Sequence, residues 1–290
     1  MEILKIENLT KYYGKVLAVK DLSLSLNEGE IFGFIGPNGA GKSTTIKSIM
    51  NLINKTSGNV YLNGELFTKE KIELKKIIGY LPSEISLYDD LTVKEILDYH
   101  ESFYNKKINR RRKELVKRLQ LAETKKIEDL SLGNLKKLGI ILALMHEPKI
   151  LILDEPTSGL DPIMQNIFYE ILLEEKEKGT TIFYSTHVLS EISKICDRVG
   201  IIKDGNLLKI ETIKELSKKN LTNVTIEIEN NIDELIKDLA ITPLLMDKNM
   251  IKFKNILDSN TLIKKISKYN IKNILIEEAT LEDVFMHYYE

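Results

Sequence analysis

The stretch Gly36-Pro37-Asn38-Gly39-Ala40-Gly41-Lys42-Ser43-Thr44 decides the fold. It fits the pattern G-x-x-x-x-G-K-[ST], a phosphate-binding loop that needs a strand before it and a helix after it. Both neighbours are present, because residues 30–35, which carry no charge after Glu30, are typical of a short buried strand and residues 45–52 carry helical spacing. The sequence therefore predicts a strand, a phosphate loop and a helix in that order.

Each of these residue types contributes to phosphate binding in a way that its chemistry explains. Gly36, Gly39 and Gly41 allow positive φ angles and a close approach of the backbone to a ligand. The N–H groups of the loop and the positive end of the following helix point at anionic oxygens. Lys42 adds a charge for the terminal phosphates, and the Ser43 hydroxyl can ligate Mg²⁺. We expect a nucleoside triphosphate to bind here with Mg²⁺.

Two carboxylates follow a second apolar run, at residues 150–153. Four consecutive aliphatic residues are typical of a strand covered on both faces of a parallel sheet, and such sheets place ligands at the carboxyl ends of their strands. Asp154 is then expected to hold Mg²⁺ beside Ser43, and Glu155 to act as the general base for water. The alternative is a pair of acids that only caps the sheet edge. His187 follows a further strand, at residues 180–185, and identifies no site by itself.

Length, charge and cysteine content restrict the class of protein. The 290 residues suggest about two domains, and the net charge of −1 gives no electrostatic argument for nucleic acid. The single Cys196 is expected to be a buried small hydrophobe in a helix over residues 188–197. No apolar run approaches the ~20 residues of a membrane helix, and residues 1–13 do not read as a signal region. We expect a cytoplasmic protein, peripheral on the inner face of the cell membrane through a partner.

The rest of the chain indicates an α/β fold with a second domain. Strands are predicted at residues 2–9 and 22–26, a capping box at Thr92 and Glu95 begins a helical region, and Ser131 begins another helix. The basic run at residues 106–118 favours a solvated helix face over a nucleic-acid or lipid patch, because acidic residues lie nearby.

A new series of elements begins near residue 218, in the order β-α-β-β-α-β and then a short helix over residues 280–289. This order predicts a small α+β, ferredoxin-like domain over residues 218–290. Residues 1–217 form the other predicted domain.

The motifs together resemble the ATP-binding subunits of ABC transporters over about residues 1–215. They are Tyr13, GPNGAGKST, LSLGN at 130–134, ILILDEP at 150–156, SGLDP at 158–162 and THVLSE at 186–191. The ending EEATLEDVFMHYY resembles bacterial exporter subunits for drugs, antibiotics or peptides. The resemblance implies a P-loop ABC ATPase core with an antiparallel β subdomain and a helical subdomain over about residues 91–147.

The resemblance also implies roles for single residues. Tyr13 would stack on adenine, residues 36–44 would wrap the phosphates, and His187 would contact the γ-phosphate. Ser131 and Gly133 would face the γ-phosphate of the ATP bound by the other subunit of a head-to-tail dimer, and Asp161 would couple the two sites.

Two positions depart from the family pattern. Ser83 stands where the family has glutamine, and its hydroxyl would reach the Mg²⁺ site through a water. The signature stretch reads L-S-L-G-N, with Leu132 and Asn134 in place of glycine and glutamine. Both departures bear on the rate and coupling of hydrolysis.

The favoured interpretation is a transport ATPase that uses ATP and Mg²⁺. Two copies, or one copy and a second ATPase subunit, would close on two ATP molecules and drive integral membrane permease subunits, as an exporter; no nucleic acid is expected. One alternative is a soluble ABC-type ATPase that acts on ribosomes or nucleic acid. Another is a weakly hydrolysing ATP-dependent regulator.

Overall fold

The computed structural model describes residues 1–104, 109–218, 222–229, 232–255 and 257–278. The chain divides into two compact units, residues 1–212 and residues 213–290. The sequence places the boundary at residues 217 and 218, at the end of a short helix; the structure assigns this whole helix to the second unit.

The first unit contains ten strands and seven α-helices within its described residues. The strands are β1 (Glu2–Tyr13), β2 (Val16–Asn27), β3 (Ile31–Ile35), β4 (Ser57–Leu62), β5 (Glu65–Leu66), β6 (Ile78–Leu81), β7 (Ile150–Asp154), β8 (Thr181–Thr186), β9 (Arg198–Lys203) and β10 (Asn206–Thr212). The helices are α1 (Lys42–Ile49), α2 (Ile72–Lys75), α3 (Val93–Glu101), α4 (Asn109–Arg118), α5 (Leu132–Leu144), α6 (Pro162–Glu177) and α7 (Leu189–Ile195).

A four-stranded antiparallel sheet in the order β2-β1-β4-β5 covers one side of the core. Its first two strands are longer than the predicted strands at residues 2–9 and 22–26. Pairing between β1 and β2 runs to the hairpin at Tyr13 and Val16, although the alternation of apolar and polar residues weakens after Leu9. The backbone pairing extends these strands beyond the part that the hydrophobic pattern marks.

A six-stranded sheet in the order β10-β9-β3-β8-β7-β6 forms the centre of the unit. β3, β7 and β8 pair in parallel, and every residue in them is buried, as the continuous apolar runs predict. The turn at Asp204 and Gly205 joins β9 and β10 as an antiparallel hairpin. The carboxyl ends of β3, β7 and β8 therefore meet at one edge, where the phosphate loop, Glu155 and His187 follow them.

The helical region begins at the predicted capping box. The Thr92 hydroxyl accepts from the N–H of Glu95, and the Glu95 carboxylate accepts from the N–H of Thr92. Ser131 is the N-cap of α5, as predicted. Residues 105–108, including part of the predicted basic run, lie outside the described residues.

The described part of the basic run is not simply a solvated face. Arg111 and Arg112 are buried on α4. Arg111 pairs with Glu175 of α6, and Arg112 pairs with Asp98 and Glu123. These positions were predicted to be exposed because the sequence does not show the distant carboxylates that neutralise them.

The second unit is a small α+β arrangement. Its elements are α8 (Ile213–Lys218), β11 (Thr222–Ile228), α9 (Ile232–Leu239), β12 (Pro243–Asp247), β13 (Met250–Asn255), α10 (Ser259–Ile266) and β14 (Ile271–Glu278). The antiparallel sheet has the order β12-β13-β11-β14, and its core joins Val224 and Phe253 to Leu235 and Leu262 of the two helices. The predicted helix over residues 280–289 lies outside the described residues.

None of the helices that the structure describes is long and apolar enough to cross a membrane.

Candidate active site

The phosphate loop needs its glycines for two separate reasons. Gly39 and Gly41 have φ angles of 82° and 105°, in the left-handed region that side chains rarely adopt. Space is the second reason, because a Cβ atom on Gly36 would lie 2.4 Å from the main-chain oxygen of Ile202 and one on Gly41 would lie 2.6 Å from that of Ala18. The loop therefore holds its N–H groups at the start of α1 without side chains in the way.

Lys42 is the first residue of α1, and its ammonium is buried within the loop. Its Nζ donates to the main-chain oxygens of Gly36 at 2.7 Å and Pro37 at 3.2 Å. The same Nζ lies 3.4 Å from Glu155 Oε1. The Ala40 N–H also donates to the Pro37 oxygen, at 3.1 Å, which closes the turn. A fixed positive charge thus stands between the phosphate loop and the strand-end carboxylate.

Glu155 lies between Lys42 and His187. Its carboxylate faces Lys42 through Oε1, and Oε2 lies 2.9 Å from His187 Nδ1. Its own N–H donates to the main-chain oxygen of Ser185 at 3.0 Å, and its φ angle is 49°. A left-handed conformation at a residue other than glycine costs about 1 kcal/mol or more and is often found at functional sites. The surrounding sheet edge offsets this cost and holds the carboxylate between two nitrogen groups.

Asp154 is fully buried at the end of β7. Neither of its carboxylate oxygens has a hydrogen-bond partner among the described residues. Burial raises the pKa of the Asp154 carboxyl, and the nearby hydroxyls of Ser43 and Ser185 act in the opposite direction without offsetting it. An unpartnered buried carboxylate beside a hydroxyl has the oxygen donors that a hard divalent cation prefers.

A cavity of about 430 Å³ opens over these groups. Nine of the predicted site residues line it: Asn38, Gly39, Gly41, Lys42, Ser43, Thr44, Ser83, Glu155 and His187. Three lining residues were not predicted: Ala18, Glu84 and Ser158. Ala18 is part of β2, and only the folded sheet brings it to the loop. The phosphate loop, Glu155 and His187 thus meet at one concave site.

Four predicted site residues outside the phosphate loop and the strand ends do not line this cavity. Tyr13 is 47% exposed at the end of β1, and the Lys11 ammonium lies 4.7 Å from the centre of its ring. Ser131 is exposed, and its hydroxyl accepts from the N–H of Asn134. Asp161 is the N-cap of α6 and accepts from the N–H groups of Ile163 and Met164.

Gly133 is the fourth of these residues. It lies against the segment that follows Glu155, because a Cβ atom there would be 2.7 Å from the main-chain oxygen of Gly159. The glycine in the signature stretch thus allows helix α5 to approach this segment closely.

Lys136 is a site residue that the sequence analysis missed. It is 2% exposed on α5, and its Nζ donates to the main-chain oxygens of Ser83 at 2.9 Å and Glu155 at 3.3 Å. Burial lowers the pKa of Lys136, while the carboxylates of Asp154 and Glu155 oppose that shift. A charged residue within the otherwise apolar buried face of α5 was the available signal.

Comparison with known proteins gives consistent matches. A family model described as ABC transporter matches residues 19–158. The linearmycin resistance ATP-binding protein LnrL of Bacillus subtilis is 40% identical over 222 residues, 75% of this chain and 71% of that protein. The bacitracin transport ATP-binding protein BcrA of Bacillus licheniformis is 41% identical over 224 residues, 75% of this chain and 72% of that protein.

A solved structure shares the fold. It is described as a dimeric post-hydrolysis state of the ATP-binding cassette MJ0796 bound to ADP and Pi. Its TM-score is 0.66 at 28% identity, over 72% of this chain and 98% of that one. With the relatives above, this match shows that the chain belongs to the ABC transporter family, as an ATP-binding subunit and ATPase.

Proposed function

We propose that this ATPase works as a head-to-tail dimer that closes on two Mg-ATP and powers a separate membrane permease, as an exporter of a drug, antibiotic or peptide. The observation that carries the proposal is the position of Glu155. Its carboxylate is held between Lys42 and His187 at the wall of the cavity that the phosphate loop forms. This arrangement has the parts that phosphoryl transfer to water requires.

Glu155 is the base in this proposal. An ionised carboxylate only accepts hydrogen bonds, so the proton of the 2.9 Å contact lies on His187 Nδ1. That bond fixes Oε2, and Oε1, which lies 3.4 Å from Lys42 Nζ, is proposed to take a proton from the attacking water. The water oxygen bonds to the γ-phosphorus as the bond from the γ-phosphate to ADP breaks. Lys42 supplies positive charge where negative charge develops on the phosphate oxygens. Residues 36–44 bind the phosphates through their N–H groups.

Asp154 and Ser43 would hold the Mg²⁺ ion. The two unpartnered Asp154 oxygens and the Ser43 hydroxyl fit an octahedral cation that keeps several waters. Bound there, the ion would neutralise charge on the phosphate oxygens. Ser83 lines the same cavity and is proposed as a more distant contact through water.

The dimer is proposed because Ser131, Gly133 and Asp161 do not line the cavity of their own chain. Ser131 in particular is exposed, as a contact to the ATP of another subunit requires. The neighbour MJ0796 is described as dimeric. Gly133 and Asp161 are proposed to join Ser131 at the composite site, and Tyr13 to stack on adenine.

Mixing two inactive variants tests the head-to-tail arrangement. Lys42→Ala destroys the phosphate loop of one chain, and Ser131→Arg blocks the signature stretch of the other at an exposed position. A mixed dimer keeps one site with both parts intact, so we expect each variant alone to be inactive and the mixture to recover ATPase activity. A mixture that stays inactive, or a fully active Ser131→Arg chain, would overturn the arrangement.

The permease and the cargo class are proposed from the names of relatives. One is named for linearmycin resistance and the other for bacitracin transport. We propose that the chain sits on the inner face of the cell membrane through its permease. The β-α-β-β-α-β unit is proposed to be a ferredoxin-like accessory domain, and the chain to have the domain organisation 1–217 and 218–290.

Co-purification from native membranes in mild detergent tests the transporter assignment. We expect a multi-helix membrane protein at a stoichiometric ratio, with ATPase activity that changes when the partner is removed. Recovery only with ribosomes or nucleic acid would overturn the proposal in favour of a soluble ATPase.

A further inference from the structure

Glu191 is a buried carboxylate at the start of α7 that accepts from four hydroxyl groups. Oε1 accepts from Thr157 Oγ1 at 2.5 Å and from the Tyr169 hydroxyl at 3.2 Å. Oε2 accepts from the Tyr184 hydroxyl at 3.0 Å and from Thr186 Oγ1 at 2.7 Å. An ionised carboxylate has about four acceptor positions, so these donors use them all.

The charge of Glu191 is stabilised by hydroxyls instead of a cation. Glu191 is 5% exposed and takes part in none of the ion pairs formed by the described residues. A buried carboxylate costs several kcal/mol unless its lone pairs are satisfied. The hydroxyl protons stay in place, because burial and the Glu191 charge both raise the pKa of Tyr169 and of Tyr184.

The four donors divide into two kinds, and each carboxylate oxygen receives one of each. Tyr169 belongs to α6 and Tyr184 to the centre of β8, both parts of the packed framework. Thr157 belongs to the 155–161 segment, which runs from the proposed base Glu155 to Asp161. Thr186 directly precedes His187, and its Oγ1 also accepts from the N–H of Val188 at 3.0 Å.

The two threonine hydroxyls therefore tie both the main chain around His187 and the 155–161 segment to the Glu191 carboxylate. Thr186 Oγ1 fixes the main chain on either side of His187, whose ring binds Glu155. Thr157 lies two residues after Glu155 and ties the 155–161 segment to the same carboxylate.

We infer that Glu191 is a positioning residue that holds the 155–161 segment and His187 in one arrangement for hydrolysis. The tyrosines fix the carboxylate in the framework, and the threonines transmit that position to the base and the histidine. The inference rests on the proposed role of Glu155 and His187. Glu191 touches neither substrate nor reacting atoms, so its effect must pass through the threonines.

The two kinds of donor provide matched variants. Thr157→Val and Tyr169→Phe each remove one hydroxyl from Oε1, and Thr186→Val and Tyr184→Phe each remove one from Oε2. We expect the valine variants to lower kcat roughly 10–100-fold, because misplacement by about 1 Å costs up to this much. KM for ATP should stay near the wild-type value. The phenylalanine variants should keep kcat within about threefold, because each leaves the other tyrosine hydroxyl to hold the carboxylate and leaves both threonine contacts in place.

Serine variants separate position from packing. Thr157→Ser and Thr186→Ser keep the hydroxyl and should restore most of kcat. Equal losses of kcat in the threonine and tyrosine variants would overturn the inference, since they would show a general loss of packing. Valine variants with wild-type kcat would overturn it as well.

The ring signals of His187 in an NMR spectrum of the nucleotide-free chain give a readout that needs no turnover. We expect Thr186→Val to shift or broaden them and Tyr184→Phe to leave them in place; unchanged signals in Thr186→Val would overturn the inference. The NMR readout tests the role of Glu191 even if the chain does not hydrolyse ATP. A chain without ATPase activity would overturn the proposed function and would leave the NMR test of Glu191 valid.

Discussion

The buried ammonium of Lys136 donates to the main-chain oxygen of Glu155 at 3.3 Å. The same ammonium donates to the main-chain oxygen of Ser83 at 2.9 Å. Helix α5 thus contacts the proposed base through the backbone that places Glu155 in its left-handed conformation, with a φ angle of 49°. Helix α5 also contacts Ser83, which stands where the family has glutamine.

Lys136→Met should lower the rate of ATP hydrolysis without changing the affinity for ATP. The substitution keeps an unbranched side chain that is one heavy atom shorter, and it removes both hydrogen bonds to the backbone of Ser83 and Glu155. We expect kcat to fall roughly 10-fold or more, because the base loses its fixed position, while the affinity for ATP stays the same. Lys137→Met is the matched control, since Lys137 is the next residue of the helix and is less buried. Wild-type kcat in Lys136→Met would contradict this role.

Asp154→Asn should stabilise the nucleotide-free protein and abolish its response to Mg²⁺. Because the folded pKa of Asp154 is raised by burial, the folded state binds this proton more tightly than the unfolded state. The free energy of unfolding therefore falls as the pH rises from the unfolded pKa through the folded one. At neutral pH the substitution removes this cost and should raise the free energy of unfolding. Thermal unfolding with and without Mg-ATP measures both effects, and an Asp154→Asn chain less stable than the wild type would contradict them.

Lys42→Ala should weaken ATP binding more than any exposed lysine change on α1. The Lys42 ammonium lies beside the loop oxygens and Glu155 at the cavity, where we expect it to donate to the phosphate oxygens of bound ATP. A charge-assisted hydrogen bond of this kind is worth about 1.5–3 kcal/mol. A loss of at least about 10-fold in ATP affinity follows from the lower value. Titration with a fluorescent ATP analogue measures it. The exposed Lys47 on the same helix provides the control variant Lys47→Ala, and equal affinities of the two variants would count against the predicted role.

Arg111→Met should destabilise the first unit. Arg111 forms an ion pair with Glu175, and both side chains are buried, at 6% and 3% exposure. Removing one partner of a buried pair costs about 3–5 kcal/mol, because the other charge is left uncompensated. Lys178 still contacts Glu175 after the substitution, so we expect the lower value, a decrease of about 3 kcal/mol in the free energy of unfolding measured with denaturant. Arg110→Met changes an exposed neighbour and should leave the free energy of unfolding nearly unchanged. An Arg111→Met chain as stable as the wild type would refute the account of this ion pair.

Local patterns predicted the parts of the fold that depend on neighbouring residues. Three elements could be predicted from patterns only a few residues long. They are the phosphate loop from the glycine spacing of residues 36–41, β7 from the aliphatic run before Asp154, and the start of α3 from the capping box at Thr92. Strand ends were less accurate, since β1 continues to Tyr13 through backbone pairing that side-chain alternation does not mark.

Residues whose partners are distant in the sequence were missed. Lys136 reaches Ser83 across 53 positions, and Glu191 reaches Thr157 across 34. Each looked like an ordinary charge on a helix, because its acceptors or donors become visible only when the sheet edge forms. The burial of Arg111 escaped prediction for the same reason, since Glu175 lies 64 positions away.

The central claim is that Glu155 activates water for ATP hydrolysis in a closed dimer. Its most direct test compares the steady-state ATP turnover and the molar mass in Mg-ATP of the wild-type chain and of Glu155→Gln, with the exposed Glu147→Gln as control. We predict that Glu155→Gln loses roughly 10²–10⁴-fold of the turnover, still binds ATP and accumulates as a dimer. A Glu155→Gln chain that hydrolyses ATP at the wild-type rate would contradict the account.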